Sequence, residues 1–304
     1  MAKEVLFTND VILQWLQYFA ENTPVDLEQI RMMDVTKKNV NIIPMVEANK
    51  AVLAFVEAGD TEVFYRMWNA GLGECEIWYN EGSDPVGPIK HDDVRFMIDR
   101  GINASAGMLV INPNAVSTNK SGLGDLTRRG SFRRGLSDEI RTIILSKMRI
   151  DSEDTVCVIG GEGLALDAAY RAYEGTILAV EYGHKQRSAL EENIDFYGLR
   201  NIHVLDHVDA ETLADQPVPD VAFIVASASL QQEIDCLMSL NPKVILVVYT
   251  LDFAQAGRLR GFFEEKGIKE AEVVQIGVSR LNAAGTFEQE PAPWIVSGRR
   301  TDIE

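Results

Sequence analysis

From residue 136 onward, short unbroken apolar runs alternate with longer amphipathic segments, and this alternation limits the possible folds more than any other feature. Runs such as "TVCVIG", "TILAVEY" and "KVILVVYT" show no polar residue at every second position, so both faces of each strand must be covered. The segments between them, including "LALDAAYRAY", "KQRSALEENIDFYG", "QQEIDCLMSL" and "DFAQAGRLRGFFEEKG", carry apolar residues at helical spacing and supply that cover. "NIHVLDH" and "DVAFIVA" are the third and fourth strands, and "SDEIRTIILSKMRI" is a helix ahead of the first, capped by Ser137 or Asp138. Right-handed crossovers wind such strands into a doubly wound parallel α/β sheet. The last two runs, "AEVVQIGVSRL" and "APWIVSGR", have no helix between them and are expected to pair antiparallel as a hairpin.

The first part of the chain has a different texture. Residues 1–50 read mainly as helix, beginning with "NDVILQWLQYFAEN", for which Asn9 or Asp10 is the expected cap. Residues 51–115 read as a β-α-β-α-β unit: strand "KAVLAFVEAG", helix "DTEVFYRMWNAGLG" stopped by glycine, strand "CEIWYNEGSDPVG", short helix "HDDVRFMIDRG" and strand "AGMLVINPNA". From 116 to 135 the chain turns polar and rich in Ser, Gly and Arg, as linkers and loops are. The expected organisation is a smaller α/β domain over residues 1–120 and a larger one over 121–304.

Charge and composition exclude several function classes. A net charge of −17 argues against a nucleic-acid binder, because neutralising phosphates needs a basic surface. No run approaches the ~18–20 apolar residues that a membrane span needs, and "MAKEVLFTND" lacks the apolar core of a signal peptide. Cys75, Cys157 and Cys236 are widely spaced and form no CxxC pair, which fits a reducing, cytoplasmic location. His203 and His207 have Asp206 and Asp209 beside them, but residues four apart on a strand stand about 13 Å apart, so no metal site is expected.

The stretch "VCVIGGEGLALDAAYRAY" joins the first strand of the larger domain to a helix through a turn crowded with glycine. Ligands of open α/β sheets bind beyond the carboxyl ends of the strands, where the strand order reverses. Gly160, Gly161 and Gly163 let the backbone bend sharply there and approach a ligand closely. Glu181 ends the next strand, with Tyr182 after it, and a carboxylate at that place can accept both hydroxyls of an adenosyl ribose. Asp209 and Ala210, after the third strand, are candidates for the adenine, and Ser227 lies in the turn after the fourth. The GxGxxG spacing for a pyrophosphate is absent. That disfavours a nicotinamide oxidoreductase and favours a cofactor without phosphates, namely S-adenosylmethionine. The bland alternative is a tight strand-to-helix turn that binds nothing.

Five parallel strands with a closing antiparallel hairpin is the Rossmann-like layout of class I methyltransferases. Within that layout, residues 128–299 resemble the decarboxylating precorrin C-15 methyltransferases of cobalamin biosynthesis, often fused to a C-5 methylase as precorrin-6Y C-5,15-methyltransferase. The likeness is carried by "SFRRGLSDEIRTIILSKMRI", "GTILAVEYGHKQRSALEENIDFYGLRNIHVL", "PDVAFIVAS", "EVVQIGVSRLNAAG" and "PAPWIVSGR". Residues 51–115 are similar to the carboxyl-terminal part of the C-5 methylase partner, without its amino-terminal half, which implies packing or oligomer contacts rather than a first methylase site. Three departures stand out. Val158 occupies the place of the family's acid, the glycine loop is one residue short, and "VASAS" replaces a glycine-rich turn.

The resemblance implies a methyltransferase that uses S-adenosylmethionine, works on an anionic tetrapyrrole and assembles as a homo-oligomer. Arg133 and Arg134, in a cluster with Arg128 and Arg129, and Arg280 in the hairpin are the candidates for gripping the substrate's carboxylates, since guanidinium binds them in a bidentate way. The competing reading, which the three departures favour, is a non-catalytic relative that keeps the fold for binding or assembly.

Overall fold

The computed structural model describes residues 8–36, 41–57, 60, 62–98, 107–115, 136–161, 163–269 and 271–300. The chain divides into two compact units, one of residues 1–122 with Asn193–Arg200, the other of residues 123–192 and 201–304.

In the first unit, helix α1 (Asn9–Asn22) and a 3₁₀ turn (Leu27–Gln29) lead to strand β1 (Ile30–Asp34). Then follow α2 (Ile42–Ala48), β2 (Ala51–Phe55), α3 (Glu62–Asn69), β3 (Glu76–Tyr79), β4 (Lys90–Asp93), the short α4 (Val94–Met97) and β5 (Gly107–Ile111). The sheet order is β1-β2-β5-β3-β4. Alternation along β2 feeds two cores. Ala51, Leu53 and Phe55 meet Trp15, Tyr18 and Phe19 of α1, while Val52 and Ala54 meet Val46, Phe64 and Met67 on the other face.

Three expectations for this region need correction. Ile30–Asp34 is a strand where helix was expected, because its conformation is set by parallel pairing with β2 (Ile30 to Ala51 through Asp34 to Phe55) rather than by propensity. The capping position of α1 falls on Thr8, so Asn9 and Asp10 lie inside the first turn. Among the described residues of "HDDVRFMIDRG", four are helical, since His91–Asp93 belong to β4 and pair antiparallel with β3.

The second unit runs α5 (Asp138–Met148), β6 (Thr155–Ile159), α6 (Gly163–Arg171), β7 (Thr176–Val180), α7 (His184–Tyr197, which the second unit holds as far as residue 192), β8 (Ile202–Leu205) and β9 (Val221–Val225). It continues with α8 (Leu230–Leu240), β10 (Ile245–Thr250), α9 (Phe253–Glu265), β11 (Glu272–Gln275), β12 (Ser279–Leu281), β13 (Phe287–Gln289) and β14 (Trp294–Gly298). The main sheet has the order β11-β14-β10-β9-β6-β7-β8. Its five central strands β10, β9, β6, β7 and β8 are parallel, and β14 runs antiparallel to both β10 and β11. This is the class I methyltransferase arrangement. Every residue of β6 and β7 is buried, as expected of strands covered on both faces.

One expected strand divides. "AEVVQIGVSRL" forms β11, then leaves the main sheet after the Ile276 N–H bonds the Pro293 carbonyl (3.0 Å), and its end pairs as β12 with β13 in a separate ribbon. Pro291 and Pro293 have no N–H to continue the ladder, so the two halves separate there. Among the described residues, no helix is long and apolar enough to cross a membrane.

Candidate functional site

The chain order β6, β7, β8 runs outward on one side, and β9 returns to the other side of β6. The reversal lies between β6 and β9, and the carboxyl end of β6 carries the glycine turn. Gly160 sits at φ +68°, a left-handed conformation that favours glycine, and its N–H bonds the Val180 carbonyl at 2.9 Å. At Gly161 space decides. A Cβ there would lie 2.5 Å from Val158 Cγ1 and 3.2 Å from the Phe223 ring. Gly163 is the buried first residue of α6, and the Leu164 N–H closes the turn onto the Gly161 carbonyl at 2.9 Å. Gly161→Ala is therefore expected to cost about 1–3 kcal/mol by overpacking. A thermal melt would show it, and an unchanged midpoint would mean that the turn has room to spare.

Val158 holds the core under this turn. It pairs with Ala179 and Phe223 on the flanking strands and is fully buried.

The next crest is built around Glu181 and Tyr182. Glu181 is 6% exposed, and its N–H bonds the Leu205 carbonyl at 3.0 Å, which ties the crest of β7 to that of β8. Arg187, one turn into α7, donates to the carbonyls of Glu181 (2.7 Å) and Tyr182 (3.0 Å). The Tyr182 hydroxyl donates a short hydrogen bond to Glu233 Oε1. Burial, then the hydrogen bond to Glu233, pushes the Tyr182 phenol well above its ordinary range.

Glu233 lies in the first turn of α8 and is buried. Burial raises its carboxyl, while the hydroxyls of Tyr182 and Ser227 work the other way. Ser227 stands near enough to favour the charged form, yet Oε2 receives no hydrogen bond of proper geometry. Ser227 itself is exposed and accepts the Ser229 N–H at 3.1 Å, shaping the entry to α8.

After β8, Asp209 and Ala210 are exposed. The Asp209 carboxylate caps the Thr212 N–H at 2.7 Å, and His207 Nε2 lies 3.2 Å from its other oxygen. These contacts, the Thr212 hydrogen bonds foremost, hold the Asp209 carboxyl below its ordinary value. Among the described residues, no group of three His, Cys, Asp or Glu could hold a metal ion.

Arg280 has two partners. Its Nε donates to Glu290 Oε1 at 2.9 Å and its Nη2 to Glu139 on α5, so as found it brackets the β12–β13 ribbon to the first turn of α5. Arg133 and Arg134 lie outside the described residues.

Sequence reasoning missed Arg187 and Glu233. Glu233 carried a legible signal: it falls three residues after Leu230 and four before Leu237, on the apolar stripe that faces the sheet. An acid on such a stripe is a buried acid.

Against this geometry the comparisons are direct. The pattern of the precorrin methyltransferase domain matches residues 136–296, just over half of the chain. The chain belongs to the precorrin methyltransferase domain family. The crystal structure of a precorrin-6Y C5,15-methyltransferase from Geobacter metallireducens is similar over 58% of this chain and 96% of that one, at 22% identity and a TM-score of 0.53. That likeness extends to the fold. A precorrin-8W decarboxylase from Methanobacterium thermoautotrophicum covers 55% of this chain and 93% of its own, at 19% identity and a TM-score of 0.48. A SAM-dependent O-methyltransferase from Thermotoga maritima covers 77% and 95%, at 14% identity and a TM-score of 0.48. No curated protein sequence matches the chain.

Proposed function

We propose that this member of the precorrin methyltransferase domain family is an S-adenosylmethionine-dependent methyltransferase. We further propose that it acts on a precorrin or related polycarboxylate tetrapyrrole, with methylation at C-15 and decarboxylation. The observation that carries the cofactor reading is the glycine turn at the strand-order reversal, where Gly160 takes a left-handed backbone and Gly161 has no room for a Cβ, beside a buried carboxylate ending the next strand. These residues suit an uncharged adenosyl group. Gly160, Gly161 and Gly163 would admit it, Glu181 would accept its ribose hydroxyls, and Tyr182, Asp209, Ala210 and Ser227 would surround its base. When bound, the cofactor supplies an activated methyl on a sulfonium, so the protein's work is alignment rather than covalent help.

For the substrate, Arg133 and Arg134 are the proposed anion grips. Arg280 holds two acids and would exchange them for a ligand carboxylate. One observation favours the non-catalytic reading instead: Val158 is apolar and fully buried, so no charge-assisted contact comes from the end of β6.

Calorimetric titration with S-adenosylhomocysteine separates the two. The enzymatic reading expects saturable heat and a raised melting temperature at millimolar ligand. Silence in both measurements would leave the non-catalytic reading. Arg133→Ala with Arg134→Ala is expected to weaken binding of a polycarboxylate tetrapyrrole, and an unchanged affinity would remove the substrate assignment.

A further inference from the structure

Glu233, in the second unit, is an acid in an unfavourable place. Glu233 is 1% exposed, lies between Leu230, Ile234 and Leu237 on α8, and has one carboxylate oxygen without a hydrogen bond. A buried carboxylate that leaves a lone pair unmatched costs stability that an apolar residue on the same stripe would not. What it holds is the Tyr182 hydroxyl. Tyr182 follows β7, Glu233 follows β9, and the sheet order places β6 between those two strands. The link therefore bridges the two crests that flank the glycine turn.

The tyrosine is fixed at both ends. Its root is clamped by Arg187 on the carbonyls of Glu181 and Tyr182, and its tip is bound by Glu233, yet the residue is 47% exposed. With root and tip held, a two-torsion side chain keeps one orientation, in a residue that is about half exposed. Its ring stands one residue from the carboxylate read above as the ribose acceptor. A nucleoside held there presents its base to the neighbouring side chain, and purines stack on aromatic faces whatever their edge chemistry.

We propose that Glu233 is a positioning residue: through the Tyr182 hydroxyl it fixes that ring as the stacking platform for the adenine of the cofactor. The proposal rests on the cofactor reading given above and adds to it a residue that touches no ligand itself.

The test is titration of the full chain with S-adenosylhomocysteine. Glu233→Leu is expected to weaken binding about tenfold, the worth of one aligned aromatic contact. Glu233→Gln, which keeps an acceptor oxygen for the hydroxyl, is expected to recover most of that loss. In a Tyr182→Ala background, Glu233→Leu is expected to change nothing more, because no ring is left to position. An unaltered affinity in Glu233→Leu, or the same loss with the ring already removed, would overturn the proposal. Should Glu233→Leu fail to fold, Tyr182→Phe removes the same hydrogen bond from the other side. The same tenfold loss is expected there, and full affinity counts against the tether. If the unaltered chain binds no S-adenosylhomocysteine, the cofactor reading falls and takes this proposal with it. If it binds while Glu233→Leu is silent, the tether alone is wrong.

Discussion

Replacing Asp167 by asparagine is expected to remove one contribution to the pH dependence of stability, a fall on the order of 4 kcal/mol between about pH 4 and pH 7 that Asp167 gives the unaltered chain. Asp167 is 0% exposed, on α6 one turn beyond Gly163. Its nearest cation is Arg141 on α5, with Nε 3.5 Å from Oδ2, and neither carboxylate oxygen receives a hydrogen bond. Attraction at that distance without hydrogen bonds does not offset the loss of water. Burial therefore pushes the carboxyl from 3.8 up to about 7, against the pull of Arg141 and Arg171 and with a small push from Asp138. The sign follows from proton counting. Between those two values the folded chain holds a proton that the unfolded chain releases, so stability falls as pH rises and levels off above about 7. Asparagine has no proton to exchange, and subtracting the two urea-denaturation curves, pH by pH, cancels every other titrating group. A difference that stays constant from pH 4 to 8 would show that Asp167 is ionised throughout and matched by its arginines.

The same pair explains what the sequence could and could not disclose. The second unit's strands were legible because they carry their instruction locally: "TVCVI" and "TILAV" are apolar on both faces after an opening threonine, as suits a covered parallel sheet. β1 was not legible. "IRMMD" has no comparable bias, and its extended form depends on β2, about twenty residues later. The division of "AEVVQIGVSRL" was encoded downstream, in Pro291 and Pro293, rather than in the strand itself. At the candidate site, the proposed glycines and strand-end acid stand out by spacing, because backbone constraint follows chain order. Glu233, Arg141 and Asp167 act across elements, and spacing alone names no partner for them. Their trace is weaker: a charge on an apolar stripe, next to Leu164 and Ala168 in one case and Ile140 and Ile144 in the other. Such a trace says that the charge is buried without saying against what.

On the proposed reading, Glu181→Ala is expected to weaken S-adenosylhomocysteine binding by at least about a hundredfold, on the order of 3 kcal/mol. An ionised carboxylate is an acceptor only, with two oxygens, and the ribose offers two neighbouring hydroxyl donors. Glu181 is placed for that match by the two backbone ties of its crest, the Leu205 carbonyl on its N–H and Arg187 on its own carbonyl. Alanine keeps those backbone bonds, so the loss should appear in affinity more than in melting temperature. Glutamine would fall between the two, because one of its ends is a donor facing a donor. A ligand lacking the 2′-hydroxyl supplies the control. Its binding is already weaker to the unaltered chain, and Glu181→Ala should cost it measurably less, since one of the two bonds is missing from the start. Equal losses for both ligands would mean that the carboxylate acts on the shape of the crest and not on the ribose. Affinity within threefold of the unaltered chain would remove Glu181 from the cofactor site altogether.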